Sequence, residues 1–315
     1  MSATLPARLV VICPVFNEGA NIRPFFDRVM KVSSSLDPIR YEFSLLFMNN
    51  RSTDDTLSLI EEIEASHRWV YHITLSRNFG YQLSVLCGIS SFEADLYMVC
   101  DVDCEDPPEM LLDFLNQMEE GRDIAYGMRN NRPDPLLMGF LRHSFYQLLR
   151  RVGDFTMVPY MAEFCMFRRH VRDAIIANSS TFPFVRAEIG YVGFDIAGLP
   201  YRREARRYGR SHYNYLRAFT FAWSGILASS TFPLRAAMYS LPALTLVNVF
   251  LVAVYALGGM RFEATVVGLL GMNSLYLTAA AAFISIYVSR IYHNGLGRRR
   301  FIVDHRLSRM PDSVE

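Results

Sequence analysis

Residues 97 to 109 read YMVCDVDCEDPPE, an apolar run that meets five carboxylates and two prolines. Asp101 and Asp103 stand two positions apart where a strand would end, so both side chains point the same way and can face one ligand. Two unpaired carboxylates would repel there. A divalent cation removes the conflict, and an oxygen-only ligand set favours Mg²⁺ or Mn²⁺, which keep waters and share substrate phosphates. The spacing therefore points to a metal-phosphate site. Cys100 and Cys104 flank it, but a zinc site would need a second thiol pair. Asp106, Pro107 and Glu109 read as a helix start, with Asp106 as N-cap and Glu109 completing a capping box.

The elements that position these acids alternate. Apolar runs at 8–16, 42–48, 70–76, 95–100 and 123–128 have the character of buried parallel strands. Between them lie helix patterns: Asp54 and Asp55 in a first turn, and Met110, Leu111, Phe114, Leu115 and Met118 as one apolar face stopped by Gly121. The expectation is an α/β chain with a mostly parallel, Rossmann-like sheet covered on both faces. Ligands of such sheets bind outside the carboxyl ends of the strands. On that rim Asn17, Glu18, Asn49 and Asn50 suit a base and ribose, while Arg77 and Arg129 suit phosphates.

Hydrophobic residues make up 51% of the 315, and they are unevenly spread. From Ala236 to Met260 and from Thr265 to Ser289 no charged residue occurs, and each stretch is long enough to cross a bilayer core of about 30 Å. Only RFEA separates them, so a membrane hairpin is expected. Arginines before the first span and after the second place both outer ends in the cytoplasm, an asymmetry hidden by the net charge of +1. The opening residues lack the charged start of a signal peptide. Five cysteines without a CxxC pair suit free thiols in a reducing compartment. The aromatic-rich segment 213–235 suits an interfacial helix, and the helix pattern at 135–152 suits either lipid contact or cover for the sheet.

Taken in order, CPVFNE, NNRSTDDT, LSRNFG, CDVDCEDPPE, YGMR and REARRYGRSHYNY resemble the family 2 glycosyltransferases that load polyprenyl phosphates. That group includes dolichol-phosphate mannose synthases, bactoprenol glucosyltransferases and undecaprenyl-phosphate aminoarabinose transferases. SRIYHNGLGRRRFIV after the second span is similar to the tail of its two-span bacterial members. The resemblance implies a GT-A fold and an inverting transfer from a nucleotide sugar, UDP-linked by expectation, to the phosphate of a lipid such as undecaprenyl phosphate. It implies Mg²⁺ or Mn²⁺ on Asp103 and Glu105, and a nucleotide-sugar site of Pro14, Phe16, Glu18, Asn50, Arg77, Asp101, Asp103, Arg206 and Ser211. Arg129, Arg132 and Arg210 would meet the acceptor phosphate, and Asp103, Glu163, Arg129 and Arg206 would form the catalytic set. Gly209 belongs to the same closing loop as Arg206 and Ser211. A bacterial inner-membrane location with the catalytic domain in the cytoplasm, a homo-oligomer (a tetramer) and no nucleic-acid partner also follow.

The expected divisions are a catalytic domain at 1–212, an interfacial segment at 213–235, two spans within 236–289 and a basic tail at 290–315. The chain departs from the family at four places. Asn50 and Arg51 stand where relatives have Asp and Gly, and Tyr81 stands where many have Lys. AEFCMFRR replaces GDFRLMDR, which makes Glu163 the closest acidic match, whereas a one-residue shift would leave Ala162 there. Two other functions compete. A glycan-elongating synthase would need a Q-x-x-R-W motif and a longer membrane part, which are absent; a sugar-nucleotide-binding protein would have lost catalysis through Asn50 and Cys165.

Overall fold

The computed structural model describes residues 5–129, 161–178, 185–204 and 230–310. Seven strands form one sheet in the order β3-β2-β1-β4-β6-β5-β7. They are β1 (Ala7–Val15), β2 (Tyr41–Asn49), β3 (Val70–Thr74), β4 (Leu96–Val99), β5 (Ile124–Arg129), β6 (Met161–Arg168) and β7 (Ile196–Tyr201). Strands β1 to β4 are parallel. The sheet is mixed because β6 enters between β4 and β5 and pairs antiparallel with both. The expected fifth strand at 123–128 thus exists, but its parallel neighbour is β7.

Alternation along each strand feeds two cores. Leu9, Val11, Cys13 and Val15 face one, with Ile22 and Phe25 of α1 (Gly19–Ser34), Ile60 and Ile63 of α2 (Thr56–Ser66), and Phe114 and Leu115 of α4 (Leu111–Glu119). Val10 and Ile12 face the other, with Val85 and Leu86 of α3 (Tyr81–Ser91), Val171 and Ile175 of α5 (Arg169–Ala177), and Val185 and Ile189 of α6 (Val185–Val192). The apolar face expected from Met110 to Met118 is buried in full. Gly121, at φ +94°, turns the chain out of α4 in a conformation that side chains resist.

Two further helices, α7 (Phe232–Ala256) and α8 (Phe262–Gly295), are long and apolar enough to cross a membrane, with mean hydropathy 1.9 and 1.6. No residue of either most apolar window is buried. Such bare apolar surface marks this part of the chain as membrane-associated. The first helix starts four residues before the charge-free stretch, and Leu257 to Arg261 make the turn. Asn248 and Asn273 join the helices through a reciprocal amide pair, both bonds 3.1 Å. Each amide satisfies the other where lipid offers no partner.

After α8 the chain returns to the sheet. The backbones of His72 and Arg309 exchange bonds of 3.1 and 2.8 Å, and Ser76 N donates to Ile302 O at 2.9 Å. Phe301, Val303 and Met310 pack on the second core. The tail thereby covers the exposed edge of β3.

Candidate active site

The carboxyl ends of β1, β2 and β4 open on a cavity of about 330 Å³. Its lining includes Pro14, Phe16, Glu18, Asn50, Asp101 and Asp103, six of the residues singled out in the sequence, together with Tyr81. A hollow of about 630 Å³ lies alongside at the starts of α1 and α2, and Glu18 borders both. The strand-end cavity is the candidate site, because there the parallel strands direct their loops to one point.

Short polar side chains brace these loops. Asn17, at φ +55°, accepts from Thr53 N at 2.8 Å, and Ser52 Oγ accepts from Asn17 N at 3.0 Å. Asn49 is 1% exposed; it accepts from Ser52 N at 2.9 Å and donates to Thr74 Oγ1 at 3.2 Å. Asn17 and Asn49, expected at a base or ribose, are instead committed to the loops. Asn50 Oδ1 accepts from Phe79 N at 2.9 Å and so ties the loop after β2 to the loop after β3. Arg51 adopts φ +62°, the backbone for which Gly is best suited, and donates to Asp304 of the returning tail at 3.3 Å. Arg77 stacks 4.2 Å over the Phe79 ring and is not among the residues lining the cavity.

The acids divide into two groups. Asp101 and Asp103 line the cavity. Burial, with Asp106 and Asp103 nearby, pushes the Asp101 carboxyl up to about 7, and Tyr81 Oη donates to it at 2.8 Å. Asp106, 2% exposed, points away into the fold. It accepts from Arg129 Nη2 at 3.0 Å and from the Tyr201 hydroxyl, and Arg129 Nε donates to Tyr201 Oη at 3.1 Å. The three groups close a ring. Gly127 makes room for it, since a Cβ there would lie 2.6 Å from Tyr201 Cε1. The capping box is therefore corrected: Asp106 holds Arg129, Glu109 accepts from Arg28 Nε at 2.8 Å, and the short helix starts at Pro108 without a side-chain cap. The ion pair wins over the helix N-terminus because Asp106, 2% exposed, would be an unpaired buried charge without Arg129, which costs more than an uncapped N–H.

Glu105, expected to join Asp103 on the cation, forms an ion pair with Arg203, and its carbonyl accepts from Glu204 N at 2.9 Å. Among the described residues no three His, Cys, Asp or Glu side chains gather as a cation cage. The remaining pair still fits Mg²⁺ or Mn²⁺, which bind through one or two carboxylates plus substrate phosphates. Burial first, and then the neighbouring Asp106 and Asp103, raise the Asp101 carboxyl; a bound cation would ease the part that comes from the neighbouring acids.

Glu163 lies on β6, outside the residues lining the cavity. Its Oε1 accepts from Gln82 Nε2 at 2.9 Å, and Gln82 Oε1 accepts from Val185 N at 2.9 Å. Burial pushes the Glu163 carboxyl up; Arg186 and the Gln82 bond oppose this. Tyr81, Gln82, Tyr201 and Arg203 escaped the sequence reading as contributors. A polar first turn in α3 was the one local signal for Tyr81 and Gln82. Arg132, Arg206, Gly209, Arg210 and Ser211, the pattern at 135–152 and the aromatic segment up to residue 229 lie outside the described residues.

The family described as glycosyl transferase family 2 matches residues 10–176. The bactoprenol glucosyl transferase of Shigella phage SfX is 25% identical, over 95% of this chain and 99% of its own length. The undecaprenyl-phosphate 4-deoxy-4-formamido-L-arabinose transferase of Klebsiella pneumoniae is 24% identical, over 98% and 95%. Among solved structures, a mannosyltransferase from Pyrobaculum calidifontis in complex with GDP-Man and Mn²⁺ is 17% identical, covers 89% of this chain and 87% of its own, and has a TM-score of 0.45. With just over half of its residues matched to the family and its strand-end acids lining one cavity, this chain belongs to glycosyl transferase family 2.

Proposed function

We propose that this transferase moves a sugar from a UDP-sugar to a polyprenyl phosphate such as undecaprenyl phosphate, at the cytoplasmic face of a bacterial inner membrane. The observation that carries this reading is the pairing, in one family 2 chain, of a strand-end cavity lined by Asp101 and Asp103 with two helices long enough to span a bilayer. The names of the phage and Klebsiella relatives support the lipid acceptor. The arginines flanking the spans support the cytoplasmic side.

In this mechanism Asp103 and Asp101 would hold the cation. When bound, the cation neutralises the charge that develops on the leaving diphosphate. Glu18 and Asn50 seat the nucleoside. The acceptor phosphate is already an anion, so its attack on the anomeric carbon needs alignment rather than a strong base. Arg129, its guanidinium fixed by Asp106 and Tyr201, supplies a preset positive charge for that phosphate. Residues 1–212 would form the catalytic part and the hairpin would bring it to the bilayer. A prenyl chain loses about 0.8 kcal/mol per CH₂ drawn out of hydrocarbon.

The test is direct. The purified full chain is mixed with Mn²⁺, undecaprenyl phosphate and labelled nucleotide sugars, and the label is followed into the organic phase. Lipid-borne label that depends on both substrates supports the reading. Label that appears only in a growing water-soluble glycan, or in no product, overturns it.

A further inference from the structure

After α8 the chain runs back along the edge of β3 and touches two of the loops that frame the cavity. Ser76 N donates to Ile302 O at 2.9 Å, just before Asn78 and Gly80, which line the cavity. Asp304 N donates to Thr74 O at 2.8 Å, Thr74 N donates to Ser308 Oγ at 2.9 Å, and Asn49 Nδ2 donates to Thr74 Oγ1 at 3.2 Å. The tail thus grips the end of β3, and β3 grips the end of β2.

One side chain of the tail reaches further. Across 253 residues of sequence, Arg51 Nη1 donates to Asp304 Oδ2 at 3.3 Å, and the Asp304 side chain is 10% exposed. Arg51 stands between Asn50, which lines the cavity, and Ser52, whose hydroxyl accepts from Asn17 N in the loop after β1. Its backbone, at φ +62°, is one that a side chain resists and glycine takes freely. An arginine held there gains from a tie outside the loop, and Asp304 supplies it. Asp304 is not among the residues lining the cavity, so its influence on a ligand there passes through the loop.

We propose that Asp304 is a positioning residue of the nucleotide site, setting the loop after β2 through Arg51. The inference rests on the nucleotide-sugar reading above and deepens it: affinity for a nucleoside diphosphate depends on a segment that follows the second apolar helix. A ligand that meets the loop only partly in its binding arrangement loses affinity in proportion to the fraction in place.

A double-variant cycle on the full chain tests this. Titration calorimetry with UDP in Mn²⁺ should show about fivefold weaker binding for Asp304→Ala. In the Arg51→Gly background, where the turn needs no tie, the same change should cost under about twofold. Arg306→Ala removes a second partner of Asp304 whose side chain is 88% exposed, and it should leave UDP affinity within about twofold; thermal melting confirms folding throughout. Hydrogen exchange of the ligand-free protein adds a readout without nucleotide. The Ser52 and Thr53 amides, which donate to Asn49 Oδ1 and Asn17 Oδ1, should exchange about threefold faster or more in Asp304→Ala. Unchanged UDP binding by Asp304→Ala overturns the proposal, and so does an equal loss in both backgrounds, which would leave the tail as cover for the edge of β3 and no more. If exchange rises as expected while the unaltered protein binds no nucleoside diphosphate, the hold on the loop stands and the nucleotide-sugar reading is what falls.

Discussion

The cavity and the acid ring farther along the sheet are built differently. On the cavity side, β1, β2 and β4 each deliver their residues in one short loop: Phe16 and Glu18, Asn50, and Asp101 to Asp103. Farther along the same rim, the ring of Asp106, Arg129 and Tyr201 spans 95 residues of sequence and joins the loop after β4 to the carboxyl ends of β5 and β7. The cavity can be recognised from short motifs because parallel strands bring loop ends together as a rule. The ring cannot, because β5 and β7 become neighbours only once β6 has turned antiparallel between β4 and β5. A site of this kind has a legible mouth and a hidden brace.

Asp103→Asn should have the largest effect. A neutral amide is a poor substitute for a charged hard ligand, so transfer to lipid should fall by about 100-fold or more, with folding unchanged by thermal melting. Turnover near the unaltered level would mean that Asp103 does not hold the cation. Asp106→Ala should strike the brace instead: it leaves the Arg129 guanidinium and the Tyr201 hydroxyl without their shared carboxylate, at a cost of about 3–5 kcal/mol in urea unfolding. Tyr201→Phe should cost less, about 1–3 kcal/mol. A drop under about 1 kcal/mol for Asp106→Ala would show that the ring adds nothing beyond an exposed pair.

Glu163 sharpens the contrast through pH. Its carboxyl titrates higher in the folded chain than in the unfolded one, with burial as the main cause. The folded state therefore holds this proton more tightly, and the resulting stabilisation is fully present below the unfolded value of about 4.3. It is lost as pH rises through the folded value. Glu163→Gln should gain stability relative to the unaltered protein as pH rises from about 4 to neutral, read as the difference in urea midpoints. A difference that stays flat, or slopes the other way, would mean that Gln82 and Arg186 outweigh burial.

Arg51→Gly should have the smallest effect. It relieves a left-handed backbone that costs about 1 kcal/mol and removes a partly exposed pair with Asp304 worth about 0–1 kcal/mol. The melting temperature should shift by no more than a few degrees. A fall beyond about 10 °C would show that the tail depends on this one contact.

Much of the molecule was legible before it was folded. Strands β1 to β5, the buried face from Met110 to Met118 and the stop at Gly121 follow from periodicity and from backbone limits. The strands β6 and β7 escaped. MAEFCMFR divides its apolar side chains between both cores, Phe164 and Met166 to one, Cys165 and Phe167 to the other, so it shows neither strict alternation nor a helical stripe. In IAGLPY five of six residues are not fully buried, which gives a weak apolar signal. The cap assigned to Asp106 failed because a local rule met a non-local competitor, Arg129, that no window around residue 106 contains.

What the sequence determined by itself is what depends on near neighbours or on the solvent. The two long apolar helices are the clearest case, since each satisfies its backbone within itself and a long charge-free stretch marks each before folding. The strand-end acids are a second case, placed by the two-residue period of a strand. Tertiary structure alone decided that Asn17 and Asn49 brace loops, that Asn50 ties the loop after β2 to the loop after β3, that Glu105 pairs with Arg203, and that the tail returns to cover β3. Each of those outcomes is a competition for one hydrogen-bond or ion-pair partner among groups far apart in the chain, and it is settled only when folding brings the competitors into reach.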